Sequence, residues 1–270
     1  MYRTLKLEIK SAVATVELHR PESRNAMSAQ LMREMIDCAG RLAAKREVDV
    51  VIVRGSGKCF SAGADLKDAS RWAGTLPFDQ QREIAALGYR MARAWEEIPQ
   101  MTIAAIEGYA IGGGLALVAA LDWRVVAKDA FVSLPEIALG IPLTWGTLPR
   151  LVNLVGPARA KRLSILCERI PAADALAMGL ADYVAQPSKA LSVARAVAKQ
   201  LLALPRNSVR MTKESINAYA GIGAHAASHM AHDQVQLASA SAEARAAREA
   251  FAARKKKAAS PARSPARGRR

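Results

Sequence analysis

The sequence predicts an α/β protein: a parallel sheet with crossover helices over about residues 1–200, then a helical C-terminal part. Three observations predict it. Short apolar runs of strand character alternate with helix-patterned stretches as far as Ala127. Two of those strands run straight into glycine-bearing turns. Beyond Trp145 the chain reads as almost wholly helical.

Taken in order, Thr4 to Leu18 reads as two short strands broken at Lys10-Ser11, because Leu5, Leu7 and Ile9 alternate with polar residues. From Ser28 to Arg46, Leu31, Met35, Ala39, Leu42 and Ala43 keep helical spacing, with Ser28 as N-cap. Asp49 to Arg54 holds four consecutive β-branched residues, as expected of a strand buried on both faces. Asp79 to Glu97 is a helix stopped by Pro99. Met101 to Glu107 is a strand that enters Gly108 and then Gly112-Gly113-Gly114; Leu115 to Leu121 continues as a helix and Trp123 to Ala127 as a strand. Helices are expected at Leu148–Val155, Pro157–Glu168, Ala172–Met178, Ala190–Ala203, Ser208–Ala220 and Ala226–Lys256. The chain divides into a core over residues 1–200, a helical region over 201–257 and a tail over 258–270. That tail repeats Ser-Pro-Ala-Arg, is basic, lacks large apolar residues and is expected to be disordered.

Composition excludes several classes. Half of the 270 residues are apolar, as in an ordinary globular chain. The N-terminus alternates instead of forming a signal-peptide core, and the longest apolar run, Ala110 to Leu121, is too short to span a bilayer. A soluble, cytoplasmic protein is expected. Cys38, Cys59 and Cys167 are widely spaced with no CxxC pair, which argues against a disulfide framework or a zinc knuckle. The net charge of +15 falls to +7 once the eight basic residues between Arg254 and Arg270 are removed. More than half of the excess therefore sits in the C-terminal stretch from Arg254 onward.

The segments KCFSAGADLKD (Lys58–Asp68) and IEGYAIGGGLALVAALDWR (Ile106–Arg124) each turn through glycines after a strand. Glycine lets a substrate approach main-chain N–H groups, and amides that open a helix are unpaired at its positive end. Two such turns on adjacent strands can aim two N–H groups at one oxygen, as an oxyanion hole requires. RGSGK at Arg54–Lys58 lacks the first glycine of a phosphate loop, and no GxGxxG marks a dinucleotide site.

The order RPESRNAMS (Arg20–Ser28), CFSAGADLKD, AAIEGYAIGGG and LPEIALGIP resembles the enoyl-CoA hydratase/isomerase family, the crotonases, over Thr4 to Lys256. The resemblance implies a crotonase-like spiral of ββα units with a helical C-terminal trimerisation region, assembled as a trimer or hexamer. It implies an acyl-CoA thioester substrate and no cofactor, coenzyme A being part of the substrate. The amides of Ala64 and Gly113 would hold the thioester oxygen. Ala62, Asp65 and Leu66 would wrap the CoA moiety, with Arg24 near its phosphates. The Arg254–Lys257 cluster, including Lys256, would reach a neighbouring subunit's CoA.

Family hydratases carry two glutamates. The second is present as Glu136; the first falls on Ala116, which can neither activate water nor take a proton. A positioned acid or base is worth about 10² to 10⁴ in rate, so a hydratase lacking one is handicapped. A Δ3-to-Δ2 double-bond shift needs a single base, and family isomerases have this arrangement. The expectation is an isomerase with Glu136 as proton shuttle. Hydration, with Asp68 or Asp122 substituting, is the alternative, followed by decarboxylase or hydrolase chemistry; the dienoyl-isomerase pattern fits poorly with Ala116 and Thr144. Asp68 is expected on a loop surface and Asp122 to cap or pair locally. Trp145 reads as lining the acyl pocket or, equally, as a core or interface aromatic.

Other features read as structural. His225, His229 and His232 share a helix face but lack acidic or sulfur partners, so no metal is expected. Cys59 reads as a buried thiol, and Met27, Met32 and Met35 as core. Arg71 to Leu87, with Gly74 and Pro77, suggests a mobile lid. A basic-tailed nucleic-acid-binding homologue is the competing class. The tail's arginines come without aromatics, so contact would be non-specific, and a solvated extension is preferred.

Overall fold

The computed structural model describes residues 1–68, 76–228 and 231–259. Six strands form the main sheet: β1 (Leu5–Lys10), β2 (Val13–Leu18), β3 (Val50–Gly55), β4 (Met101–Ile106), β6 (Trp123–Ala127) and β9 (Tyr183–Ala185), in the spatial order β1-β2-β3-β4-β6-β9. The β1–β2 pair is antiparallel, turning at Ser11 with φ 53°; every other pairing is parallel. A second sheet joins β5 (Tyr109–Ile111), β7 (Phe131–Ser133) and β8 (Ile170–Pro171), with β5 parallel to β7.

Two-residue periodicity sorts the strand side chains between two cores. Val51, Val53, Ala104, Ile106 and Val126 face the main core, which α1 (Ala29–Ala43), α2 (Phe78–Glu97) and α3 (Gly113–Ala119) cover. Val50, Ile52, Ile103, Ala105 and Val125 face the other way, onto Ala190, Ala194, Val197 and Leu201 of the helix Ala190–Leu202. This is why β3 reads as an unbroken apolar run. Ser28 caps α1 by accepting from Leu31 N at 3.2 Å, and Met27, Met32 and Met35 are fully buried, as expected.

Beyond β7 the helices are α4 (Thr147–Leu166), α5 (Ala172–Ala177), α6 (Ala190–Leu202), α7 (Arg206–Ala220), α8 (Ala224–Ser228), α9 (Ala231–Ser239) and α10 (Ala242–Ala259). Gly156, at φ 76° and ψ 163°, breaks α4 where two helices were expected. The single helix expected from Ala226 to Lys256 is instead interrupted at Ala240-Ser241. There Ser241 Oγ accepts from Ala244 N at 3.0 Å and starts α10. His225 lies in α8 and His232 in α9, their side chains outside the described residues, as is all of His229. Of the segment expected as a lid, 78–87 is the first half of α2, with Ile84 and Leu87 buried, while 71–75 lie outside the described residues. Residues 260–270 of the tail also lie outside them. Among the described residues no helix is long and apolar enough to cross a membrane.

One buried ion pair ties α7 to the sheet. Lys213 Nζ donates to Asp122 Oδ2 and to Gln100 O, each at 2.7 Å, with side-chain exposures of 4% for Lys213 and 14% for Asp122. Desolvation lowers the Lys213 pKa, opposed by the Asp122 charge. Lys213→Met leaves Asp122 without its counter-charge, so a loss of about 3–5 kcal/mol is expected, read as a lower urea midpoint. An unchanged midpoint would show that this pair adds nothing to the packing and the Arg206 and Arg210 contacts to Asp49 that also hold α7.

Candidate active site

The first glycine segment is threaded between two parts of the chain. On one side Met27 N donates to Gly63 O at 2.8 Å and Asp65 N donates to Met27 O at 3.2 Å. On the other, Ser61 bridges Ala110, and Ile111 N donates to Ser61 O at 3.0 Å. Backbone groups alternate along an extended chain, so with Gly63 O and Asp65 N engaged by Met27, the Ala64 N–H points away from it. That side holds the second turn: a β-carbon on Gly63 would lie 3.4 Å from Gly113 N.

Gly112 carries φ 53° and ψ −120°, a conformation open to glycine, and its N–H donates to Ser133 O at 2.8 Å. Gly113 then opens α3. Among the described residues neither the Ala64 nor the Gly113 N–H has a backbone acceptor. Both amides are thus left without a main-chain partner among the described residues.

The parallel pairing of β5 with β7 carries the residues after β7 to the same place. Glu136 follows β7 by three residues and starts the 3₁₀ turn Ile137–Leu139, closed by Gly140 at φ 71°. Its Oε1 stands 2.7 Å from where a Gly112 β-carbon would be. Oε2 is buried with no hydrogen-bond partner among the described residues, although the residue as a whole keeps partial solvent access. Burial pushes the carboxyl up from 4.5 to about 7, opposed by a hydrogen bond from its own backbone N–H. A carboxylate poised near neutrality beside the Gly112–Gly113 turn is suited to taking and returning a proton.

Helix α10 closes on this segment. A β-carbon at Gly140 would meet Ala244 Cα at 2.5 Å, so the helix backbone rests directly on the turn that carries Glu136. Trp145 covers the neighbouring glycine: its ring lies 2.4 Å from a β-carbon built at Gly113. Ala116, in α3, is buried in the core and supplies no acid.

Apart from Lys256, the remaining predicted residues lie on the first glycine segment or, like Arg24, are hydrogen-bonded to it. Arg24 and Leu66 are exposed and Ala62 is half-buried, with its N–H donating to Arg24 O at 2.9 Å. The Asp65 side chain turns inward, its Oδ2 2.9 Å from Arg20 Nη1 and its Oδ1 accepting from Lys67 N at 3.0 Å. The Lys256 side chain lies outside the described residues.

The two acids considered as substitutes are both engaged in scaffolding. Asp68 lies in the loop, half-buried, and accepts from Ala29 N at the start of α1 at 2.7 Å. Asp122 accepts from Thr102 N, Thr102 Oγ1 and Lys213, a local pairing as anticipated. Cys59 is buried, and burial raises its pKa. A cavity of about 370 Å³ between α2, α4 and α7 is lined by Glu96, Arg150 and Lys213, all already paired with one another or with neighbours, and does not include Glu136.

Sequence reasoning missed Asn25 and Arg150. Asn25 is fully buried, at φ 53°, and its Nδ2 donates to Ser56 O and Cys59 O, fastening the first motif to the glycine segment. Its place in RPESRNAMS was the available signal. Arg150 sits in a helix with no motif around it.

A family model described as Enoyl-CoA hydratase/isomerase matches residues 8–259. The chain is 33% identical over 217 residues to a crotonyl-CoA hydratase of Syntrophomonas wolfei, covering 80% of this chain and 82% of that one. It is 32% identical over 212 residues to a short-chain-enoyl-CoA hydratase of Clostridium acetobutylicum, covering 78% and 80%. A crystal structure of an enoyl-CoA hydratase/isomerase from Xanthobacter autotrophicus Py2 superposes with a TM-score of 0.85 at 28% identity, over 98% of this chain and 100% of that one. An enoyl-CoA hydratase from Mycobacterium avium gives 0.84 at 27% identity, over 94% and 97%. Family match, sequence identity and fold agree, and the chain belongs to the enoyl-CoA hydratase/isomerase family.

Proposed function

We propose that the protein isomerises a 3-enoyl-CoA to the 2-enoyl-CoA, with Glu136 as the single proton shuttle. The observation that carries this reading is the buried Glu136 Oε2, without a hydrogen-bond partner among the described residues, beside the Gly112–Gly113 turn, with alanine at 116. The Ala64 and Gly113 amides hold the thioester oxygen. Glu136 takes a proton from the α-carbon, leaving a dienolate whose negative charge rests on that oxygen. The same carboxyl returns the proton to the γ-carbon as the double bond moves from C3–C4 to C2–C3. Each amide contributes on the order of 3 kcal/mol to the enolate-like state. No cofactor takes part. Arg24 and the basic end of α10, including Lys256, bind the CoA phosphates, the latter from a neighbouring subunit of a trimer or hexamer in the cytoplasm.

Hydration of a 2-enoyl-CoA is the second reading, favoured by the names of the relatives. Purified protein is assayed with a 3-enoyl-CoA and a 2-enoyl-CoA of equal length. Conversion of the first with little hydration of the second is expected; efficient hydration of the second would replace isomerase with hydratase.

A further inference from the structure

We infer that Trp145 is the wall that restricts this site to short acyl chains, an inference that rests on the acyl-CoA reading above. Trp145 is 7% exposed and holds a left-handed φ of 60°, followed by Gly146 at φ 67°. Two glycines receive its indole. A β-carbon at Gly88 of α2 would lie 1.9 Å from Trp145 Cε2, and one at Gly113 of α3 would lie 2.4 Å from Cζ3. With the ring in place, neither position admits a side chain.

Arg150 fixes the turn from behind. Its Nη1 donates to Trp145 O at 3.0 Å and Gly146 O at 3.1 Å, while Nε and Nη2 grip the Glu96 carboxylate at 2.8 and 2.6 Å. The ring is thus seated against two glycines on a backbone anchored by Arg150.

The position of the ring sets its consequence. Glu136 covers Gly112 and the indole covers Gly113, so adjacent residues of one turn carry the base and the wall. A substrate with its carbonyl oxygen on the Gly113 N–H and its α-carbon at Glu136 runs its chain along this turn. It meets the indole within a few bonds.

Saturated butyryl-, hexanoyl-, octanoyl- and dodecanoyl-CoA bind without reacting, so their dissociation constants report the pocket independently of the chemistry. These are measured by calorimetry for the wild type, Trp145→Phe and Trp145→Ala, the Phe variant serving if the Ala variant does not fold. The wild type is expected to prefer the short chains. Truncation is expected to raise the ratio of long-chain to short-chain affinity, by roughly tenfold or more for Ala, since a few methylenes in an apolar pocket carry discrimination of that size. A ratio unchanged in the variants, with all affinities falling together, or a wild-type preference for long chains, overturns the inference. Failure of the wild type to bind any of the four overturns the acyl-CoA reading itself.

Discussion

Glu136→Gln is expected to lower kcat for the 3-enoyl-CoA by roughly 10² to 10⁴ while changing acyl-CoA affinity little. The carboxamide has the same shape and fills the same space over Gly112, so binding and the two amides are retained. What is lost is the proton acceptor. In a one-carboxylate isomerase the same group makes both transfers, so no second acid limits the damage, and Asp68 and Asp122 are committed to α1 and Lys213. Single-turnover assays of the variant decide it. Retention of more than about a tenth of the wild-type rate would remove Glu136 from the proton path and with it the proposed mechanism.

The same carboxyl links activity and stability with opposite signs. Its pKa in the folded protein, about 7, means that the base form accumulates as pH rises through neutrality. The kcat/KM is therefore expected to climb with pH up to about 7 and then level. Stability runs the other way. The folded state holds a proton that the unfolded chain releases near 4.5, so the stabilisation is complete below 4.5 and lost as pH rises through 7. The full difference is at most about 3 kcal/mol. Glu136→Gln, which cannot ionise, is expected to be more stable than the wild type at pH 8 by up to that amount and equal to it near pH 4.5.

The fold was legible where physical signals are local. β3 and β4 announce themselves because burial on both faces demands unbroken apolar runs, and α1 because Ser28 and its apolar spacing agree. The short strands β5, β7, β8 and β9 span two or three residues each and hold no period to detect, yet the β5–β7 pairing is what delivers Glu136 to Gly112. The site was legible as a set of motifs rather than as a geometry. Its glycines and Glu136 stood out, but the grip of Gly88 and Gly113 on Trp145 links residues from three separate segments. The contact of Asp68 was hidden for a related reason: a hydrogen bond to Ala29 across 39 positions leaves no trace in spacing. The break at Ser241 was hidden because alanine-rich sequence favours helix on both sides of it.

Gly112→Ala tests whether the turn or its chemistry matters, and it is expected to cost about 10² in kcat. Two effects combine. At φ 53° and ψ −120° any β-carbon is strained, at on the order of 1–3 kcal/mol. That carbon would also stand 2.7 Å from Glu136 Oε1, so the carboxylate must move from its place beside the amides. Displacement of about 1 Å is enough for a loss of this size. Gly156→Ala separates the two effects, because Gly156 has φ 76° with nothing within 4 Å of its β-position. It shares the backbone strain and lacks the collision. Both variants are expected to unfold at lower denaturant concentration, and only Gly112→Ala to lose turnover. Equal loss of turnover in the two would mean that activity follows stability, and that the contact between Gly112 and Glu136 places no catalytic group.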